Sequence, residues 1–327
     1  MPTDKEPHRA CFATARKAQC ERLNKTFYES WPAKFFTINI QIALLAIAEP
    51  NALSRTFKKG VRVGKLRFKW TSNEEDQDWQ NLQRWAKIEI GTVYFHALET
   101  LLRLFLAHAG APACPWLEMA NLTSFDEFKQ DVKSISEGIY PDFREQVAYV
   151  MHGFPKYPGR DQLPDISEEK WDASVENACE HLNFFATDLL KNDDHNAFKH
   201  GLAVLLGDRS FQLGDGQLLT ASGDSLLTLS HRERRELKDR YWAERISFFD
   251  VDLRAVLVYR AEQLIESIID VGRARYLGDK GIIHFFDGLR ISEIISKKES
   301  PIYSPILTID LWPPVPRVKR KRKARPK

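Results

Sequence analysis

A chain of 327 residues with 43% hydrophobic and 28% charged residues carries enough apolar material for a large core, which excludes a disordered protein and allows one big domain or two modest ones. Its four cysteines, Cys11, Cys20, Cys114 and Cys179, contain no C-x-x-C pair, and Cys11 and Cys20 lie too far apart on one helix to bridge, so a reducing cytoplasm is the expected location. The net charge of +3 is uneven: Arg317 to Lys327 hold eight Lys or Arg and no acid, and removing those eight leaves −5 for residues 1–316, a mildly acidic body with a strongly basic end.

In chain order the elements are mostly helical. The N-terminus is charged from Asp4 to Arg22 and lacks the apolar centre of a signal peptide, which argues against secretion. Pro7 to Ser30 is helix-compatible, and Pro32 suits the first turn of a second helix running to Ala48. The apolar stretch Phe35–Ala48 is interrupted by Asn39 and Gln41 and is too short to span a bilayer, so it reads as a buried helix and no membrane partner is expected. From Val61 to Trp70 a short ribbon turns at Gly64, with Val61, Val63, Leu66, Phe68 and Trp70 on one face and Arg62, Lys65, Arg67 and Lys69 on the other. A long helix covers about Glu74 to His108 and is ended by Pro112 and Pro115. Less regular helices follow near Phe125–Glu137 and Asp142–Met151, then a Pro/Gly-rich loop from Phe154 to Pro164. Ser167-Glu168-Glu169-Lys170 opens a helix to about Lys191. A helix beginning near His195 comes next, followed by three short strands, Phe211–Leu213, Gln217–Ala221 and Ser225–Leu229, separated by Gly214-Asp215-Gly216 and Ser222-Gly223-Asp224. Ser230-x-x-Glu233 matches a capping box that starts a charged helix, and a long amphipathic helix runs from about Ile246 to Tyr276. The basic end, stiffened by Pro313, Pro314 and Pro316, has almost nothing apolar and is expected to stay extended.

Two segments carry candidate chemistry. On the long helix, Glu89, Thr92, His96, Glu99 and Arg103 follow a 3-4-3-4 spacing and form one polar seam among apolar neighbours. Such a seam faces a polar pocket, a subunit interface, or simply solvent with one i,i+4 ion pair between Glu99 and Arg103. The second segment is His195-Asn196-Ala197-Phe198-Lys199-His200, directly after the helix-breaking Asn192-Asp193-Asp194. At a helix start, these side chains form one patch where the N-terminus favours an anion, Lys199 adds a cation, and His195 and His200 titrate near neutrality. The bland alternative is a hydrogen-bonded bundle histidine beside a solvated lysine.

A Glu-and-Arg helix followed by Arg-polar-x-x-x-His at a helix start resembles the higher eukaryotes and prokaryotes nucleotide-binding (HEPN) superfamily. The resemblance implies a HEPN-like helical bundle, mainly α, that dimerises with the motif at its interface. It implies a metal-independent ribonuclease or an RNA-binding relative without cofactors, in a toxin–antitoxin or phage-defence setting, with an antitoxin or defence partner. Asn196 and His200 match the polar and histidine positions, Glu99 and Arg103 are partners from the earlier helix, and His96 is a supporting group. His195 stands where the family's arginine would be, so Lys199 or Arg103 must supply the cation. In that centre His200 takes the proton of a ribose 2′-hydroxyl, His195 protonates the leaving 5′ oxygen, Lys199 and Arg103 stabilise the phosphoryl oxygens, and Asn196 orients a histidine or the phosphate.

The architecture expected from all this has three parts: N-terminal helices and the basic ribbon in 1–73, a helical bundle in 74–312 with an antiparallel β meander inserted near 208–229, and a disordered tail in 313–327. His96-x-x-Glu99 with His195 or His200 offers no closely spaced ligand set, so no metal is expected. P-loop, Rossmann and G-x-S-x-G signatures are missing from the sequence. The alternative to an enzyme is a non-catalytic nucleic-acid-binding or scaffold protein, in which Lys319, Arg320, Lys321, Arg322 and Lys323 neutralise phosphates and the ribbon's cations add a second contact.

Overall fold

The computed structural model describes residues 17–68, 75–122, 125–191, 204–213, 219–234, 239–248, 250–286, 288, 290–296 and 306–310. The chain divides into two compact units, Met1–Asn192 with Asp252–Glu299 and Asp193–Val251 with Ser300–Lys327. The fold is mainly helical with small antiparallel β elements, as the sequence predicts. The N-terminal helices share the first unit with the long rod, and the β insertion is larger than the meander expected near 208–229.

The first unit contains α1 (Lys17–Glu29), α2 (Phe35–Ala48), α3 (Pro50–Lys59), β1 (Val61–Val63), β2 (Leu66–Phe68), α4 (Glu75–Ala109), α5 (Pro115–Asn121), α6 (Phe125–Ser136), α7 (Phe143–His152), α8 (Glu168–Lys191), α9 (Val251–Leu277) and α10 (Ile291–Ser296). The rod α4 is its axis. Ile90, Tyr94, Ala97, Leu98, Leu101, Leu102, Leu104 and Phe105 are all buried around its circumference. A helix apolar around most of its circumference must be largely enclosed by others, and α2, α3, α5, α6, α7 and α8 pack against it. By length and composition α4 also meets the requirement for a membrane span, and it is mostly buried within the unit. Trp171, Ala178, Leu182, Phe185 and Ala186 of α8 and Leu257, Val258, Ala261, Ile265 and Ile268 of α9 complete the core.

Several boundaries differ from expectation for identifiable reasons. Helix α2 starts at Phe35, three residues past the expected Pro32, because Lys34 takes a left-handed N-cap conformation with φ 58°. It is buried on one face only: Phe36, Ile40, Ala43 and Ala46 face the core, while Phe35, Ile38, Ile42 and Leu45 are exposed, which corrects its reading as a fully buried helix. The ribbon forms as predicted, with Val61 opposite Phe68, Arg62 opposite Arg67 and Val63 opposite Leu66. Gly64 takes φ 59° at the first turn position, where a two-residue hairpin favours glycine.

The second unit is a four-stranded antiparallel sheet in the order β3 (Val204–Leu213), β4 (Leu219–Arg234), β5 (Asp239–Phe248), β6 (Ile306–Asp310). Three sequence expectations fail here. Val204 to Leu206 is strand, not the continuation of a helix begun near His195. Ser222-Gly223-Asp224 is no turn: it lies inside β4, paired with Ser210, Arg209 and Asp208. The capping box at Ser230 is also overturned, because Ser230 pairs with Ala243, Glu233 with Arg240 and Arg234 with Asp239 across β4 and β5. The strands thus continue through a segment whose charge density resembles a solvated helix. Ile246 accordingly belongs to β5, and the following helix begins at Val251. Ile306–Asp310 is an additional strand that the sequence reading does not anticipate.

Candidate functional site

The polar seam of α4 is placed in full. Arg103 donates from Nε to Glu99 Oε1 at 2.9 Å and from Nη2 to the same oxygen at 2.8 Å. Its Nη1 donates to the carbonyl of Leu122, the C-cap of α5, and the guanidinium lies 4.2 Å from the centroid of Phe128 on α6. The two side chains are only 17% and 14% exposed. Arg103 therefore ties α5 and α6 to the rod, and its guanidinium plane rests on a ring instead of facing an open groove. Thr92 bonds back to Ile88. His96 is exposed at the end of α2, edge-on to Phe35 and Phe36 at 6.1 and 5.3 Å. The seam is a half-buried stripe with one ion pair, the plainer of the expected alternatives. His195, Asn196, Lys199 and His200 lie outside the described residues, as do Lys319, Arg320, Lys321, Arg322 and Lys323.

A half-buried ionic cluster links the three central helices and escapes the sequence reading. Tyr94 of α4 donates its hydroxyl to Asp188 Oδ2 at 2.5 Å, and Arg254 of α9 donates Nη1 to the same oxygen of that α8 carboxylate. The Arg254 guanidinium also lies 4.2 Å from the Tyr94 ring centroid. Burial first, then the Asp188 charge, holds the Tyr94 phenol well above its ordinary range. Burial works against the Arg254 charge, yet Asp188 and Tyr94 outweigh it and raise its pKa. This group is a junction of three helices. A single Asp among apolar neighbours late in α8 is the one sign of it in the sequence.

The remaining buried polar groups are structural in the same sense. His108 binds the Leu104 carbonyl through Nδ1 at 2.7 Å, so its Nε2 accepts from the Tyr28 hydroxyl at 2.8 Å. Burial lowers its pKa to about 4 and keeps it neutral. His152, lowered to about 4 by burial and then by His284, sits 2.8 Å from Ser174 Oγ, which in turn accepts the Phe286 N–H at 2.8 Å. The Glu262 carboxylate of α9 receives the N–H groups of Phe36 and Thr37 at 3.0 and 2.6 Å, satisfying the start of α2 with a negative charge. Arg273 and Arg275 are also engaged. Arg273 binds the Tyr28 carbonyl at the end of α1 at 2.8 Å, and Arg275 binds the Tyr149 and Gly153 carbonyls at the end of α7, each at 3.2 Å. Both cations sit where helix dipoles and orphan carbonyls favour them.

Exposed cations crowd one stretch of the first unit. From Pro50 to Asn73 the sequence has Arg55, Lys58, Lys59, Arg62, Lys65, Arg67 and Lys69 and no acid. Arg55, Lys59, Arg62, Lys65 and Arg67 are exposed. Arg62 and Arg67 face each other across the ribbon. Each guanidinium has five N–H donors; to described residues, Arg62 donates from Nε to the Gly64 carbonyl at 3.3 Å and Arg67 from Nη2 to the Lys59 carbonyl at 2.6 Å. Like charges at facing positions destabilise a ribbon unless an anion lies between them. The opposite face exposes Val61, Leu66 and Phe68.

Among the described residues no group of three or more His, Cys, Asp or Glu is arranged to hold a metal ion. The described cysteines, Cys20, Cys114 and Cys179, are free and buried. No family model, curated protein or solved structure matches the chain.

Proposed function

We propose that the chain is a nucleic-acid-binding protein whose ligand is RNA, held through its phosphate backbone by the α3–ribbon segment with the basic end of the chain as a second contact. The facing Arg62 and Arg67 in an acid-free, exposed run carry this reading. Two guanidiniums on one face of a ribbon match phosphate oxygens, and cation–phosphate contact supplies sequence-independent affinity. The resemblance of His195 to His200 to the HEPN motif supports RNA as the ligand class. In a HEPN-like ribonuclease centre the cation here is Lys199, because Arg103 is committed to Glu99, Leu122 and Phe128.

Fluorescence anisotropy with labelled single-stranded RNA and duplex DNA across a salt series tests the proposal. The parent is expected to bind RNA with an affinity that falls steeply with salt. Arg62→Ala combined with Arg67→Ala is expected to weaken binding and flatten the log–log salt slope by about 2, roughly one per phosphate contact removed. An unchanged affinity and slope in that double variant overturns the assignment of the ribbon. Truncation after Pro316 measures the tail in the same way. Incubation of the same RNA with parent and His200→Ala proteins reads cleavage: parent-only cleavage establishes the ribonuclease, and equal rates in both remove His200 from any catalytic role.

A further inference from the structure

Between α9 and α10 the chain runs without regular structure, and residues 281–286 lie as a strap over the end of α7 and one side of α8. Side chains hold it. Ser174 Oγ accepts the Phe286 N–H at 2.8 Å, and Asn177 Nδ2 donates to the Phe286 and Gly288 carbonyls at 2.8 and 3.2 Å. His284 Nε2 lies 2.8 Å from Asp270 Oδ2 of α9. The rings of Phe285 and Phe286 stand edge-on to the His152 imidazole, with centroids 5.7 and 5.9 Å away, and the Trp171 ring lies 4.9 Å from it. A segment held by a few side-chain contacts, outside any helix or sheet, is the kind that opens locally while the rest stays folded.

His152, beneath the strap, is fully buried. Its Nε2 has Ser174 Oγ at 2.8 Å, and among the described residues no protein group meets Nδ1. The neutral ring has one N–H to place, and the cation has two. Ser174 Oγ already holds the Phe286 amide. The surrounding charged and titratable groups offer no remedy. His284 comes from the strap itself; Asp270 and Glu266 come from α9, the first already bonded to His284; Lys170 of α8 lies 5.9 Å from the Phe285 centroid. His181 of α8 is turned to the Asn177 carbonyl at 2.8 Å, and Arg275 to the Gly153 carbonyl at 3.2 Å. No carboxylate among the described residues bonds the His152 ring. An imidazolium here is a buried charge with no acid beside it and an N–H with no protein acceptor, and exposure to water removes both costs.

We propose that the 281–286 strap is a proton-gated cover, released from α7 and α8 when His152 takes up a proton. Release exposes His152 and Trp171 together with the inner faces of Phe285 and Phe286. Burial, and then His284, lower the His152 pKa from 6.5 to about 4 while the strap is closed. The open form therefore binds the proton more tightly, and acid favours opening. With those two values the proton favours the open form about 30-fold at pH 5 and about 1.3-fold at pH 7, a change of about 20-fold. This device is independent of the nucleic-acid assignment.

Hydrogen–deuterium exchange of the full chain at about pH 7 and about pH 5, read by mass spectrometry on peptides covering 281–286 and normalised to the exchange rates of the free peptides, tests it. The strap is expected to be less protected than α4 at both pH values and to lose about 20-fold of its protection at the lower one. The loss should vanish in His152→Gln and persist in His284→Asn and His181→Gln, which remove the two other histidines beside the strap and its anchor. Should His152→Gln fail to fold, persistence of the loss in the other two variants still assigns it to His152. Equal protection at the two pH values overturns the proposal. So does a loss that survives in His152→Gln or disappears in His284→Asn or His181→Gln. A strap as protected as α4 opens only with the whole unit, and that result overturns the proposal as well.

Discussion

Replacing Gly272 with alanine is predicted to destabilise the first unit even though alanine is the better helix former. An added Cβ at Gly272 meets Cε1, Cζ and Oη of Tyr28 at 2.4, 2.6 and 2.6 Å, about 1 Å closer than carbon atoms tolerate. Tyr28 has no easy way to yield. It is fully buried, its hydroxyl bonds His108 at 2.8 Å, its ring stacks on Tyr276 with centroids 5.8 Å apart, and Arg273 holds its carbonyl. Overpacking a core costs about 1–3 kcal/mol. Parting Tyr28 from His108 leaves two buried polar groups unmatched, about 1–3 kcal/mol more. The better helix propensity of alanine returns about 1 kcal/mol. The net is a loss of about 1–5 kcal/mol, a large share of a typical folding free energy. Urea denaturation followed by far-UV circular dichroism measures it as a lower midpoint. Gly110→Ala is the control, since an added Cβ there meets nothing within 4 Å and should leave the midpoint unchanged. Pairing Gly272→Ala with Tyr28→Leu should cost less than the sum of the single changes. A Gly272→Ala protein as stable as the parent refutes the close approach of α9 to α1.

Three other outcomes follow from the buried polar groups. His108 and His152 are neutral in the fold, each with a pKa near 4 where burial is the main cause. The unfolded chain takes up those protons first, so stability is complete above about pH 6.5 and falls toward about pH 4, by on the order of 3 kcal/mol per histidine. Urea midpoints at about pH 7 and about pH 4.5 test this, and a His152→Gln protein should show a shallower dependence; identical midpoints at the two pH values contradict it. Asp188→Ala leaves the half-buried Arg254 charge without its carboxylate and should cost about 2–3 kcal/mol, whereas Tyr94→Phe removes one hydrogen bond and should cost about 1 kcal/mol; thermal midpoints in the reverse order contradict the junction. Glu262→Gln keeps the shape but removes the negative charge from the start of α2, and a loss of about 1 kcal/mol is expected by urea titration.

Much of the helical unit is legible in the sequence because its apolar spacing is unambiguous. The rod expected from Glu74 to His108 is found at Glu75–Ala109, since its apolar run continues until the Gly110 and Pro112 region. Two similar cap signals show the limit of local motifs. Ser167 opens α8 as predicted, its Oγ accepting the Lys170 N–H at 3.2 Å, and behind it Trp171, Val175, Ala178 and Leu182 recur with helical period and are buried. Ser230 has the same spacing to Glu233, but Leu227, Leu229 and the charged pairs that follow suit a sheet, and β5 supplies the matching charges. A cap motif predicts a helix only where a helical stripe follows it. The Tyr94–Asp188–Arg254 junction was hidden for another reason: its members are 94 and 66 residues apart in the chain, and pairing at that range is decided by tertiary packing alone.

The guanidinium groups of the first unit divide into those tied to helix ends and carboxylates and those exposed on the ribbon, which the proposed function takes as the ligand contacts. Arg103, Arg254, Arg273 and Arg275 each engage a carboxylate or a backbone carbonyl, and Arg103, Arg254 and Arg275 also lie over aromatic rings. Moving any of them toward a phosphate would strip a helix end or a buried acid of its partner, at a cost that a single phosphate contact does not offset. Arg62 and Arg67 also bond backbone carbonyls, those of Gly64 and Lys59, but they do so at exposed positions, they face each other, and their mutual repulsion falls when an anion binds between them. A nucleic acid that approaches this unit through arginine therefore gains most at the ribbon, where binding relieves an existing strain instead of creating a new one. The same logic ranks the variants: alanine at Arg62 and Arg67 should weaken binding with little loss of stability, and alanine at Arg254 or Arg275 should do the opposite. If urea midpoints and RNA affinities fell together in all four proteins, this division between structural and ligand-facing cations would be wrong.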